Sequence, residues 1–297
     1  MAQVLAQLES VHRHYGAVRA LRGLDAALHS GEVLAVLGRN GAGKSTAIAL
    51  WLGLARAQSG WVQLFGKAPG ALAQRRRIGV MLQSASLPEA STVEELLQVT
   101  CACYPQPMAL DACMRLAGLE GLAGRRYQQL SGGQQRRVQF ALALCGDPEV
   151  LFLDEPTTGL DIDARSRLWA TIGQLRQRGK AIVLTTHYLE EAETLADRVL
   201  VLEAGQVLAE GTVDAIRSQV ALQKIRCRSG LDSADVAAWP EVVDACRDEA
   251  GQLLITTTDA LRLLPRLMAA DSTLAALEVT RPSLADAFLA LTQEPQE

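Results

Sequence analysis

The segment Gly38-Arg39-Asn40-Gly41-Ala42-Gly43-Lys44-Ser45-Thr46 follows the apolar run Val33–Leu37 and opens a helical pattern at Lys44. This GxxxxGK[ST] spacing between a strand and a helix constrains the chain more than any other feature. Glycines let the backbone curl until successive N–H groups face inward, where they cradle phosphate oxygens. A helix starting near Lys44 adds the positive end of its dipole. In such a loop Lys44 reaches the β- and γ-phosphates and the Ser45 hydroxyl ligates Mg²⁺. The expected ligand is a nucleoside triphosphate held by Gly38, Asn40, Gly41, Ala42, Gly43, Lys44, Ser45 and Thr46.

A complement lies further along, at Val150-Leu151-Phe152-Leu153-Asp154-Glu155. Four apolar residues predict a buried strand, and its C-terminal end projects two carboxylates where open α/β sheets bind ligands. Asp154 suits a metal ion. Glu155 suits the proton of an attacking water, as general base.

The third motif is Leu130-Ser131-Gly132-Gly133-Gln134. It precedes a helix beginning near Gly133, whose N-terminus offers a second anion site. A monomeric kinase needs one phosphate site, whereas two subunits paired head to tail would each offer this loop to the γ-phosphate held by the other. In these three ordered motifs the sequence closely resembles the ATP-binding-cassette (ABC) transporter ATPases. The resemblance extends over residues 4–211 and implies further roles. Tyr15 would stack on adenine. Gln83 would sense Mg²⁺ and the γ-phosphate while touching a membrane partner, joining Ser45 and Asp154 around the metal. Asp161 would contact the other subunit, and His187 would hydrogen-bond the γ-phosphate. Glu155, His187 and Lys44 are the catalytic candidates; Ser131, Gly132, Gly133 and Gln134 form the loop given to the partner's nucleotide. No catalytic position of the family pattern is degraded, which implies a competent ATPase.

Glu155-Pro156-Thr157-Thr158-Gly159-Leu160-Asp161 and Pro282-Ser283-Leu284-Ala285-Asp286-Ala287-Phe288-Leu289 are similar to the bacterial multidrug-exporter type, in which a small domain follows the cassette. The resemblance implies MgATP as cofactor, a homodimer, and a separate transmembrane permease through which a solute is exported. Two rivals fit less well. A soluble ABC ATPase of the repair or translation kind would need a long coiled coil or two cassettes. A P-loop small-molecule kinase leaves Leu130–Gln134 unexplained.

Composition agrees. The 297 residues are 49% hydrophobic and 21% charged, as in a globular chain with one large domain and a small one. A net charge of −4 gives no reason to expect nucleic acid. No apolar run approaches the ~20 residues that span a bilayer, and Met1–Gln7 does not read as a secretion signal. The expected location is the cytoplasmic face of the plasma membrane, peripherally bound.

The expected fold class is α/β: a P-loop cassette with a mixed sheet over residues 1–215, a helical insertion about 88–145, and a small α+β ferredoxin-like domain over 220–297. Strands are predicted at Val33–Leu37, Val62–Phe65, Ile78–Met81, Val150–Leu153, Ala181–Thr185, Arg198–Glu203 and Gln206–Glu210. Helices are predicted at Lys44–Leu54, Gly133–Leu144, Asp163–Arg178 and Leu189–Ala196. After Thr212 the order βαββαβ begins with a strand at Leu222–Cys227, and Ser283–Leu291 is a final amphipathic segment. Disorder is confined to the polar end, Thr292–Glu297. The six cysteines (Cys101, Cys103, Cys113, Cys145, Cys227, Cys246) read as small buried hydrophobes. His12, His14 and His29 read as structural, Trp51 and Trp61 as packing, and Arg75-Arg76-Arg77 as the solvated end of a turn.

Overall fold

A computed structural model describes residues 3–218, 223–248, 250–280 and 282–293. The chain divides into two compact units, Met1–Val213 and Asp214–Glu297.

The first unit carries two sheets. β1 (Val4–Tyr15), β2 (Val18–His29) and β4 (Ser59–Leu64) form an antiparallel sheet in the order β2-β1-β4. The other has the order β5-β6-β7-β3-β8-β9, built from β3 (Val33–Leu37), β5 (Ile78–Met81), β6 (Val150–Asp154), β7 (Ala181–Thr186), β8 (Arg198–Glu203) and β9 (Gln206–Gly211). Its first five strands run parallel, and β9 turns back antiparallel on β8. Parallel strands covered on both faces lose the apolar–polar alternation, and every residue of β3, β6 and β7 is buried. The α1 helix (Lys44–Trp51) packs against both sheets, and its Trp51 ring lies 6.0 Å from that of Phe152 on β6. Arg198 ties the sheets together: it reaches Glu32, Glu210 and the Ala27 carbonyl of β2, while His29 Nδ1 stands 2.7 Å from Glu32.

The helices α2 (Leu72–Arg75), α3 (Val93–Cys101), α4 (Leu110–Leu116) and α5 (Gly132–Leu144) lie between β4 and β6 in sequence. The start of α3 is set by a reciprocal cap: Thr92 Oγ1 accepts from the Glu95 N–H, and Glu95 accepts from the Thr92 N–H. α5 lies close on β5 because residue 79 is glycine. A Cβ there would stand 2.0 Å from the Ala143 carbonyl oxygen. α6 (Ile162–Gln177) and α7 (Leu189–Leu195) then alternate with the strands, and α8 (Val213–Ser218) follows β9.

The second unit is β10 (Gln223–Arg228), α9 (Ser233–Ala237), β11 (Val242–Arg247), β12 (Leu253–Thr257), α10 (Ala260–Ala270), β13 (Ala275–Thr280) and α11 (Leu284–Gln293). Its sheet order is β11-β12-β10-β13 with all neighbours antiparallel, the arrangement a βαββαβ order produces. One face carries the core: Ile225, Cys227, Leu253 and Ile255 meet Val236, Leu263 and Leu267 of the helices. α11 is tied to β10 by Lys224 Nζ, 2.7 Å from Asp286. Leu222 and residues 294–297 lie outside the described residues; Thr292 belongs to α11.

Several expectations need correction. The long hairpin β1–β2 replaces a stretch with no predicted strand. Its pairing has several register shifts, which break a period of two, and Leu21, Leu24 and Leu28 imitate helical spacing. The fourth strand begins at Ser59 and stops before Phe65, which takes φ +53°. α1 ends at Trp51, short of Leu54, because Gly53 turns left-handed at φ +68°. Trp61 is not packing; it is 72% exposed on β4. Arg75 and Arg76 are exposed as expected; Arg77, also partly exposed, adds two bonds of 2.6 and 2.7 Å to Glu149 and stacks 3.7 Å over Phe65. The Arg77 guanidinium holds the Glu149 carboxyl below its ordinary pKa. Cys103 and Cys246 are exposed and Cys101 is half-buried, so only Cys113, Cys145 and Cys227 behave as buried hydrophobes.

Gly79→Ala is expected to push α5 off β5 and destabilise the first unit by about 1–3 kcal/mol, as overpacking does. The urea midpoint measures this, and an unchanged midpoint would mean that the helix has room to shift.

Candidate active site

The loop between β3 and α1 turns on glycines for steric reasons. A Cβ at Gly38 would meet the Leu202 carbonyl oxygen at 2.4 Å, and one at Gly43 the Ala20 carbonyl oxygen at 2.5 Å. Gly43 also sits at φ +110°, which a side chain disfavours. No side chain caps α1, so its first N–H groups point their positive dipole end at the cleft. That cleft measures about 490 Å³ and is lined by Tyr15, Val18, Ala20, the loop Arg39–Thr46, Gln83 and Glu155. Lys44 is buried, and its Nζ donates to the Gly38 carbonyl at 2.8 Å and the Arg39 carbonyl at 3.2 Å.

Across from Lys44 the end of β6 delivers two carboxylates. Asp154 is buried and accepts a hydrogen bond from the Thr185 hydroxyl on β7. Glu155 leaves the strand at φ +49°, an unusual conformation for a side-chain-bearing residue. Its N–H is held by Thr185, at 3.1 Å from both the carbonyl and the hydroxyl oxygen. This kink places the carboxylate among four groups. Oε1 lies 3.5 Å from Lys44 Nζ and 3.4 Å from His187 Nδ1. Oε2 accepts from Gln83 Nε2 at 3.2 Å and from the Thr158 hydroxyl at 3.3 Å. A carboxylate so held faces the cleft as a fixed proton acceptor beside a fixed cation.

Tyr15 closes the other end at the tip of the β1–β2 hairpin, where one face of its ring is covered by Arg13 at 4.4 Å. His187, just past β7, is partly exposed and its ring lies 4.1 Å from that of Tyr188.

Tyr15, Asn40, Gly41, Ala42, Gly43, Lys44, Ser45, Thr46, Gln83 and Glu155 line one cleft; Gly38 accepts from Lys44, His187 stands beside Glu155, and Asp154 lies next to Glu155 at the end of β6, bonded to Thr185. Ser131–Gln134 and Asp161 are not part of the cleft's lining. Ser131 caps α5, its Oγ accepting from the Gln134 N–H at 3.3 Å and Gln134 Oε1 accepting from the Ser131 N–H at 3.0 Å. Asp161 caps α6 through the Ala164 N–H at 2.7 Å. Both are exposed.

Three contributors escaped the sequence reading. Arg13 could have been found, since it lies two residues before Tyr15 and so on the same strand face. Thr185 offered only a hydroxyl at a strand end. Arg136, mid-helix on α5, is buried with its guanidinium against the backbone of Gln83 and Glu155. Burial pulls its pKa down while Asp154 and Glu155 oppose the shift.

The fold and cleft define a P-loop nucleotide hydrolase. The ABC transporter family profile matches residues 21–158. The Nod factor export ATP-binding protein I of a Rhizobium species is 36% identical, over 100% of each chain. A daunorubicin resistance ATP-binding protein of Streptomyces coeruleorubidus is 34% identical over 98% of this chain and 97% of its own. The solved ATP-binding subunit of an ABC transporter superposes with a TM-score of 0.67 at 30% identity, covering 72% of this chain and 92% of that one. A dimeric bacterial ABC transporter cassette gives 0.65 at 26%, covering 70% and 98%. The chain belongs to the ATP-binding subunits of ABC transporters, and it is an ATPase.

Lys44→Ala is expected to abolish measurable ATP binding by titration calorimetry, because the loop loses its one buried cation. An unaltered affinity would place the triphosphate elsewhere.

Proposed function

We propose that this ATPase drives export of a solute through a separate membrane subunit, by closing and opening as a head-to-tail homodimer on the cytoplasmic face of the membrane. Each nucleotide lies between the phosphate loop of one subunit and Ser131-Gly132-Gly133 of the other. The observation that carries this reading is the placement of the two halves. Glu155, Lys44 and His187 converge on one cleft, while Ser131 and Asp161 stand exposed outside it, free for a second copy. The export assignment draws on relatives named for Nod factor export and daunorubicin resistance. Among the described residues no helix is long and apolar enough to cross a membrane, which fits a subunit that needs a separate permease.

In the proposed cycle Tyr15 offers its free ring face to adenine, and the loop from Gly38 to Thr46 binds the phosphates. Lys44 and His187 stabilise charge on the transferred phosphoryl group, the main task in this chemistry. Glu155 accepts the proton of the attacking water. The Ser45 hydroxyl, the Gln83 carboxamide oxygen and the Asp154 carboxylate make an all-oxygen donor set, which fits Mg²⁺. Bound there, the ion would neutralise phosphate charge. Loss of the γ-phosphate removes the anion shared by the two subunits, so the pair opens. ATP acts by favouring the closed dimer over the open one.

Glu155→Gln is expected to keep ATP affinity, stop turnover and accumulate an ATP-bound dimer on size-exclusion chromatography. Elution as monomer alone at saturating ATP counts against the dimer. Ser131→Arg is expected to block hydrolysis while the monomer still binds ATP. Mixed with Lys44→Ala chains it should regain activity, since each mixed pair holds one site with both partners intact. A mixture as inactive as its components would contradict the head-to-tail geometry.

A further inference from the structure

Arg136 is charged, mid-helix and nearly buried, at 8% exposure. It sits on α5, in the second turn after the Ser131 cap, and its guanidinium reaches across to the ends of two neighbouring strands. Nη1 donates to the Leu82 carbonyl at 2.8 Å, the Gln83 carbonyl at 3.0 Å and Gln139 Oε1 at 2.7 Å. Nη2 donates to the Asp154 carbonyl at 2.9 Å and the Glu155 carbonyl at 2.7 Å.

These four carbonyls share one predicament. β5 and β6 pair in parallel from Ile78↔Val150 to Met81↔Leu153, and their ladder ends there. Leu82 and Gln83 come just after β5. Asp154 is the last residue of β6, still paired with Thr185 on its other side, and Glu155 follows, its carbonyl also accepting the Thr158 N–H at 3.3 Å. On the β5 side these carbonyls have lost the ladder's donors. The planar fork of an arginine supplies them from a single side chain. Glu155 is also the residue at φ +49°, a conformation that persists only when its surroundings over-determine it. Thr185 holds its N–H and Arg136 holds its carbonyl, so the kink is clamped on both sides.

We propose that Arg136 is a positioning residue: it fixes the backbones of Gln83 and Glu155 in their own subunit and makes both follow the helix that begins at Ser131. It is not among the residues that line the cleft. Its effect passes through the placement of the Glu155 carboxylate against Lys44 and of the Gln83 amide against Glu155. In the head-to-tail dimer, on which this second consequence rests, the helix offered to the partner's nucleotide is bonded to the subunit's own general base. A lysine cannot take the place of the fork, because its ammonium is a point donor that spans one or two of the four carbonyls.

The test is steady-state ATPase kinetics and ATP calorimetry on Arg136→Gln and Arg136→Lys in the full chain. Arg136→Gln is expected to lower kcat by roughly 10- to 100-fold, the scale of a misplaced catalytic group. Its ATP affinity, set by the phosphate loop, should stay within about threefold, below the tenfold that 1.4 kcal/mol makes. Arg136→Lys should fall between it and the parent. Mixed dimers then separate the roles. With Ser131→Arg and Lys44→Ala chains forming one intact site, Arg136→Gln on the Lys44-bearing chain should cost far more activity than on its mate. Unchanged kcat in the homodimer, a parallel fall in affinity and rate, or equal effects on the two chains of an active mixture each overturn the proposal. Should the parent mixture itself be inactive, the dimer geometry fails, while the kcat-against-affinity split still decides the role of Arg136.

Discussion

The Lys44–Glu155 pair is the contact on which the rest of the cleft depends. Both groups are almost wholly buried, and they come from opposite ends of the sequence logic, one from the turn after β3 and the other from the end of β6. Burying charges is costly unless each finds partners. Lys44 finds two backbone carbonyls and Glu155; Glu155 finds Lys44, His187, Gln83 and Thr158. Each buried charge is thus paired before any phosphoryl group arrives, as a site that stabilises developing charge requires. In the proposed cycle the triphosphate competes for the cation that now faces the carboxylate, so binding and catalytic readiness are linked through one side chain.

The sheet explains why these groups meet. β6, β7 and β3 are adjacent, parallel and buried throughout, so their C-terminal ends open on the same edge. The phosphate loop follows β3, Asp154 ends β6 with Glu155 next to it, and His187 follows β7. The antiparallel sheet adds Tyr15 from a different direction, by extending a hairpin over the loop. Helices inserted between β4 and β6 then carry the Ser131 cap away from this edge, and Arg136 on the same helix reaches back to it.

The unit Asp214–Glu297 has its own core on one face of a four-stranded sheet. Among the described residues, none of those that line the nucleotide cleft comes from it.

The local motifs determined the phosphate loop, the buried strands that flank it and the order of the βαββαβ unit. A glycine turn between an apolar run and a helix is specified by neighbours a few residues away, and so it is legible in one dimension. The β1–β2 hairpin was not, because bulges and alanines erased its period. Nor was the exposure of Trp61, or the pairing of Arg77 with Glu149 across 72 residues. The same holds for the site. Gln83 and His187 carry no signal as single residues and gain meaning from resemblance, whereas the clamp on Glu155 by Thr185 and Arg136 exists only where strands and helix meet. Short-range chemistry is written along the chain. Burial and long-range hydrogen bonding are decided by which segments fold against one another, because only packing removes water from a charge and leaves a backbone carbonyl as its remaining partner.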